Sequence, residues 1–195
     1  MSEAFDGADA LLTAWRRGLA PEPELTVSEW ADEHRWLAPK ASAEPGRYRT
    51  DRVPFMRGIM DALSVINPEQ RVVFMKAAQV GATEAGNNWL GYIIHHAPAP
   101  TLAVQPTVDL VKRFSRQRID PLIDESPALR ERVMPARARD SGNTMMNKEF
   151  PGGVLVMTGA NSAVGLRSMP ARFLFLDEVD AYPASADEEG APGAL

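Results

Sequence analysis

Phe173-Leu174-Phe175-Leu176-Asp177-Glu178-Val179-Asp180 decides how this chain is read. A short, almost wholly apolar run ends abruptly in two adjacent carboxylates. A run of that length predicts a strand buried on both faces, as in a parallel sheet covered by helices. Residues at the C-terminal end of such a strand lie where open α/β sheets bind their ligands. Desolvated carboxylates are costly unless they are paired or hold a metal. The economical reading is therefore the acidic motif of an NTPase, with Asp177 holding Mg²⁺ and Glu178 polarising the attacking water. The plain alternative is a strand that runs out into an acidic surface loop.

The complement of that motif lies upstream. Arg71-Val72-Val73-Phe74-Met75 predicts a second buried strand, followed by Lys76-Ala77-Ala78-Gln79-Val80-Gly81-Ala82-Thr83 and a helical run from Glu84 to His95. Strand, small-residue turn and helix form a phosphate-binding unit, in which backbone N–H groups and a helix N-terminus face an anion. The usual pattern is G-x-x-x-x-G-K-[ST]. Gly81 and Thr83 occupy its second glycine and hydroxyl positions, but Lys76 stands in place of the first glycine and Ala82 in place of the lysine. A lysine acts on phosphate as a mobile point charge, so it can enter the loop from either end. The alternative is an ordinary βα turn with Thr83 as helix N-cap.

Composition limits the remaining classes. A chain of 195 residues can bury a real core and should hold one domain or slightly more. The net charge of −5 gives no global electrostatic argument for nucleic acid, so any basic surface must be local. Cysteine is absent, which excludes disulfides and thiolate metal sites. No apolar run approaches a membrane span, and the acidic start (Glu3, Asp6, Asp9) lacks the pattern of a secretion signal. A soluble, cytoplasmic protein is expected.

Elsewhere, Leu11, Leu12, Trp15 and Leu19 fall at helical spacing over Ala8 to Leu19. Thr26 and Glu29 have the spacing of a capping box opening a second short helix that carries Trp30. Phe55 to Ile66 predicts a helix, Thr101 to Gln105 a strand, and Thr107 to Ile123 a long helix broken near Pro121. Val154 to Met157 predicts a further strand and Thr158 to Met169 a loop. Lys112, Arg113, Arg116 and Arg118 lie at helical spacing, as a DNA-facing stripe or simply a solvated face. Strands alternating with helices argue for a parallel sheet with crossovers. The polar tail from Ala181 to Leu195 adds nothing foldable, so the chain reads as the front portion of something longer.

Taken in order, the motifs resemble those of the N-terminal ATPase portion of phage large terminase subunits of the lambda-type GpA family. They are Ser28-Glu29-Trp30-Ala31, Ala43-Glu44-Pro45-Gly46-Arg47-Tyr48-Arg49-Thr50, Met75 to Gly81, Val104-Gln105-Pro106-Thr107, Arg139-Asp140-Ser141-Gly142-Asn143-Thr144, Gly159-Ala160-Asn161-Ser162 and Leu176 to Pro183. The front lysine of the phosphate loop is itself a habit of that family. The resemblance implies ATP and Mg²⁺ as cofactors, Lys76, Gln79, Gly81 and Thr83 as nucleotide-binding residues, and Tyr48 as an aromatic contact to adenine. It implies Thr83 and Asp177 at the metal, Glu178 activating water, and Arg167 reaching a neighbouring subunit's nucleotide. A core role for Tyr48 and a solvated loop role for Arg167 stay open beside these. Many relatives carry lysine directly after the loop glycine, where this chain has Ala82.

The expected architecture is a three-layer α/β/α P-loop NTPase of the additional-strand, RecA-like type, with a mostly parallel sheet incomplete at the C-terminus. Residues 1–37 would form a helical appendage and residues 38–195 the ATPase domain, with the family's nuclease domain absent. The implied parent activity is ATP hydrolysis coupled to packaging of double-stranded DNA. Its implied partners are the small terminase subunit, the portal and procapsid, and further copies in a ring. Two alternatives stand beside it: an inert truncated prophage remnant or nucleotide-binding fragment, and a DExD-box helicase-like ATPase, since Asp177-Glu178-Val179-Asp180 fits that motif too.

Overall fold

The computed structural model describes residues 7–19, 24–39, 42, 44–77, 80–133, 143–167 and 170–185, with the side chain of Arg17 outside that set. Helix α1 (Ala8–Leu19) forms at the amphipathic stretch, but its apolar stripe of Leu11, Leu12, Trp15 and Leu19 is exposed. Helix α2 (Val27–His34) opens with the capping box. The Thr26 hydroxyl accepts from the Glu29 amide, and Glu29 reaches back to the Thr26 amide at 2.9 Å. Such a cap is worth about 1 kcal/mol. Val27, Trp30 and Ala31 of α2 lie fully buried in the main core. The expected appendage thus contributes to the hydrophobic centre.

A small antiparallel pair, β1 (Trp36–Leu37) and β2 (Gly46–Arg47), leads into α3 (Arg57–Ala62). Arg71–Met75 does not form the expected buried strand. The segment is extended but in no ladder, with Val73 82% and Met75 96% exposed. It keeps a strand's alternation, since Val72 and Phe74 are half-buried and Phe74 packs on the core. Among the described residues no strand lies beside it to take its backbone hydrogen bonds, so its burial is one-sided.

Helix α4 (Ala82–His95) runs through the middle of the core. Strand β3 (Thr101–Gln105) follows, and then α5 (Val108–Phe114), capped by the Thr107 hydroxyl. A π-helical turn at Ser115–Ile119 joins α5 directly to α6 (Asp120–Glu125) and α7 (Pro127–Arg130). The expected long helix is therefore continuous past Pro121, which directly follows the π turn as the second residue of α6. Strand β4 (Asn147–Phe150), absent from the sequence reading, pairs antiparallel with β5 (Gly153–Gly159). The expected loop then holds α8 (Ala163–Arg167) before β6 (Phe173–Leu176).

The sheet order is β4-β5-β3-β6, with β3 parallel to both β5 and β6. One face presents Leu155, Met157, Ala103, Phe173 and Phe175 to the helical core. Gly86 of α4 lets that helix lie against β6, because a Cβ there would stand 2.5 Å from the Phe175 ring. The other face carries Leu102, Val104 and Val156 beneath Tyr182, with α8 over Thr158. The acidic strand is consequently not buried on both faces. Leu174 is 53% and Leu176 44% exposed, because β6 is the last strand of the described sheet and no helix among the described residues covers its outer side.

Candidate nucleotide site

The site forms where α4 begins and β6 ends. Gly81 takes the left-handed conformation (φ +87°) that turns the chain into α4, a conformation favouring glycine. Among the described residues no side chain caps this helix. The first-turn amides of Ala82, Thr83 and Glu84 lack intrahelical acceptors, so the helix start presents N–H donors and the positive end of a dipole. Thr83, part-buried, stands in that turn and not at the N-cap, which is Gly81.

Asp177 follows directly on β6 and is 8% exposed. Its amide bonds to the Val104 carbonyl at 3.2 Å. One carboxylate oxygen accepts from Gln105 Nε2 at 3.4 Å, and the other lies 3.9 Å from Lys76 Nζ. The lysine at the front of the loop and the acid at the strand end are thus brought together. Glu178 turns back into solvent with φ 51° and ψ 48°, the single non-glycine residue with positive φ among those described. Such strain at the residue after the buried acid points to function. A short 3₁₀ turn, Val179–Ala181, then brings the Tyr182 hydroxyl to donate to the Val104 carbonyl at 2.9 Å. Burial, and next the nearby Asp177 charge, push the Tyr182 phenol up to about 12.

Other expected residues lie further out. Arg167 is the last residue of α8 and is exposed. Gln79 lies outside the described residues. No hydrogen bond joins Thr83 to Asp177 among the described residues. Tyr48 is 7% exposed and belongs to the main core while also lining a pocket beside the start of α4; burial pushes its phenol up. The expected basic stripe is broken. Lys112 pairs with Asp109 at 2.9 Å and Arg118 with Glu84 at 3.1 Å, while the π turn shifts Arg116 and Arg118 out of α-helical spacing with α5.

The reading from sequence missed Gln105 and Tyr182. Gln105 was findable, since it closes an apolar strand just as Asp177 does. Two parallel strands ending in polar residues place those residues side by side. Tyr182 gave no such signal, because its hydroxyl reaches back across the sheet through a turn.

Together these features define a mixed α/β domain in which a lysine shortly before a glycine-opened helix meets the acid that follows a parallel strand. The sequence of residues 42–195 matches the family described as phage terminase large subunit gpA, ATPase domain, and the chain belongs to that family. It is 30% identical to the terminase large subunit of Enterobacteria phage P21, covering 99% of this chain and 30% of that protein. It is 28% identical to the terminase large subunit of Escherichia phage lambda, covering 90% of this chain and 27% of that protein. The chain thus spans under a third of the length of these curated relatives. No solved structure gives a significant match.

Proposed function

We propose that this chain is the ATP-hydrolysing portion of a packaging motor, which in the full-length protein drives double-stranded DNA into procapsids. The observation that carries the reading is the meeting of Lys76 with Asp177 beside the uncapped start of α4. Such a constellation suits a nucleotide triphosphate: N–H donors and a lysine for the phosphates, and a nearly buried carboxylate for a hard cation. When bound, Mg²⁺ neutralises charge on the β- and γ-phosphate oxygens.

In this reading Lys76, Gly81, Thr83 and Gln79 hold the phosphates, Tyr48 borders the base, and Asp177 with Thr83 holds the metal. Gln105 fixes the Asp177 carboxylate by a hydrogen bond. Glu178 orients the water, from a backbone conformation that separates its side chain from that of Asp177. Arg167, exposed at the end of α8, is free to reach a neighbouring subunit in a ring. The domain is of the three-layer, RecA-like P-loop type over residues 38–195, preceded by the helical segment 1–37. Its partners are DNA, the small terminase subunit and the portal, in the host cytoplasm.

Phosphate release by the full-length protein tests the reading. Lys76→Ala should abolish turnover, and Ala82→Lys should preserve or raise it. Undiminished turnover in Lys76→Ala would mean that the phosphate cation comes from elsewhere. Titrating the 195-residue chain itself with a fluorescent ATP addresses the inert-fragment alternative, which predicts no turnover and little or no binding.

A further inference from the structure

Beside the first turn of α4 lies a pocket with apolar walls from Leu37, Tyr48 and Pro121 and a polar wall from Arg35, Gln117 and Arg118. Glu84, also at its rim, ties that polar wall together. It accepts from Arg35 at 3.3 Å, from Arg118 at 3.1 Å and from Asn87 at 3.2 Å. Arg35 is 4% exposed, and its Nε proton has no acceptor among the described residues. A buried donor left unsatisfied calls for an explanation; the carboxylate on this wall, Glu84, is already engaged by another nitrogen of the same guanidinium.

The π turn explains why Gln117 belongs to this wall. Its backbone closes with the Asp120 amide donating to the Ser115 carbonyl, one residue wider than an α-helical turn. The widened turn swings the residues after Ser115 around the axis. Arg118 then meets Glu84 on α4, and the adjacent Gln117 lines the pocket. Inserted π turns recur at functional sites. The ion pair fixes the turn to the same helix whose N-terminus faces the phosphates.

We propose that Gln117 is the residue that reads the adenine base. The inference rests on the nucleotide-site reading and adds a specificity residue to it. A pocket whose apolar walls include an aromatic ring accepts a purine. A primary amide offers one donor beside one acceptor, matching adenine's N7 acceptor and N6 amino donor, whereas guanine shows two acceptors on that edge. Glu84 and Arg118 act as positioning residues for Gln117.

The experiment is competition against a ribose-labelled fluorescent ATP on the full-length protein, using ATP, GTP, 7-deaza-ATP and inorganic tripolyphosphate, which carries no base. Gln117→Ala should weaken ATP about tenfold, narrow the ATP-over-GTP preference by a similar factor, and leave tripolyphosphate competition unchanged. 7-Deaza-ATP should compete poorly with the parent protein and no worse with the variant. Gln117→Glu, which keeps the acceptor and loses the donor, should also lose ATP affinity. An unchanged ATP-over-GTP ratio in both variants, or equal loss of ATP and tripolyphosphate, would overturn the role of Gln117 while leaving the phosphate site standing. If neither ATP nor tripolyphosphate displaces the probe, the nucleotide site itself is wrong and this proposal falls with it.

Discussion

Lys76 Nζ meets Asp177 Oδ1 at 3.9 Å, an ion pair too long to be a hydrogen bond. The lysine side chain is 27% exposed and the carboxylate 10%, so solvent partly screens the pair. Partly exposed pairs of this kind contribute about 0–1 kcal/mol. In the proposed nucleotide site a triphosphate at the start of α4 would offer the lysine a stronger partner, and Asp177 would keep Gln105 and gain a cation. The first prediction concerns that acid. Asp177→Asn should weaken Mg²⁺-dependent nucleotide binding and hydrolysis together, while binding measured with a chelator present changes little. Equal affinity of parent and variant in Mg²⁺ would remove the metal role.

Glu178 should separate from Asp177 in its effects. Glu178→Gln is expected to bind ATP nearly as the parent does and to slow turnover by about 10²–10⁴-fold, the usual worth of a positioned base. Glu178→Gly should be equally inactive yet fold normally. Left-handed backbone costs a side-chain-bearing residue roughly 1–2 kcal/mol, and glycine's greater chain entropy offsets about 0.5–1 kcal/mol of that relief. Chemical denaturation together with phosphate release checks both halves.

Arg167, if it acts across a subunit boundary, has a distinct signature. Arg167→Ala subunits should bind ATP normally but turn over slowly. Mixed with Glu178→Gln subunits, they should regain activity at boundaries where an intact Arg167 meets an intact Glu178. Mixtures that stay inactive at every ratio, despite shown co-assembly, would return Arg167 to a local role at the end of α8.

The Tyr182 phenol, raised from 10.0 to about 12, makes a pH prediction. Its neutral form is favoured in the folded state, so its contribution is complete below pH 10 and is lost as pH rises toward 12. Thermal melts of the parent should fall across that window more steeply than those of Tyr182→Phe. At neutral pH the variant should be less stable by about 1 kcal/mol, for the lost bond to the Val104 carbonyl. Parallel pH profiles would show that this hydroxyl is solvated.

Gly86→Ala tests the packing that brings α4 to the acidic strand. Alanine is the better helix former by about 1 kcal/mol, yet its Cβ would come 2.5 Å from the Phe175 ring. Overpacking of this kind costs about 1–3 kcal/mol. Urea denaturation should show a net loss of stability, and Gly86→Ala combined with Phe175→Leu should recover part of it. A stabilised single variant would mean that Phe175 moves aside freely.

Local chemistry was legible in the sequence because it depends on neighbours along the chain. The capping box at Thr26 and Glu29, the glycine turn at Gly81, the helix after it, and the apolar runs ending at Gln105 and Asp177 all follow from spacing and residue type. What faces each run did not follow. The apolar pattern of Arg71–Met75 is indistinguishable from that of a paired strand, and Val73 and Met75 are left in solvent because no strand among the described residues lies beside them. Leu174 and Leu176 are exposed for a related reason, since among the described residues β6 is the sheet's outer strand and no helix covers its far side. The meeting of Lys76, Gln105 and Asp177, the left-handed turn at Glu178 and the reach of Arg118 to Glu84 were likewise decided by the fold. Propensity and capping act within a few residues, whereas burial and ion pairing depend on which distant segments the packed sheet and helices place side by side.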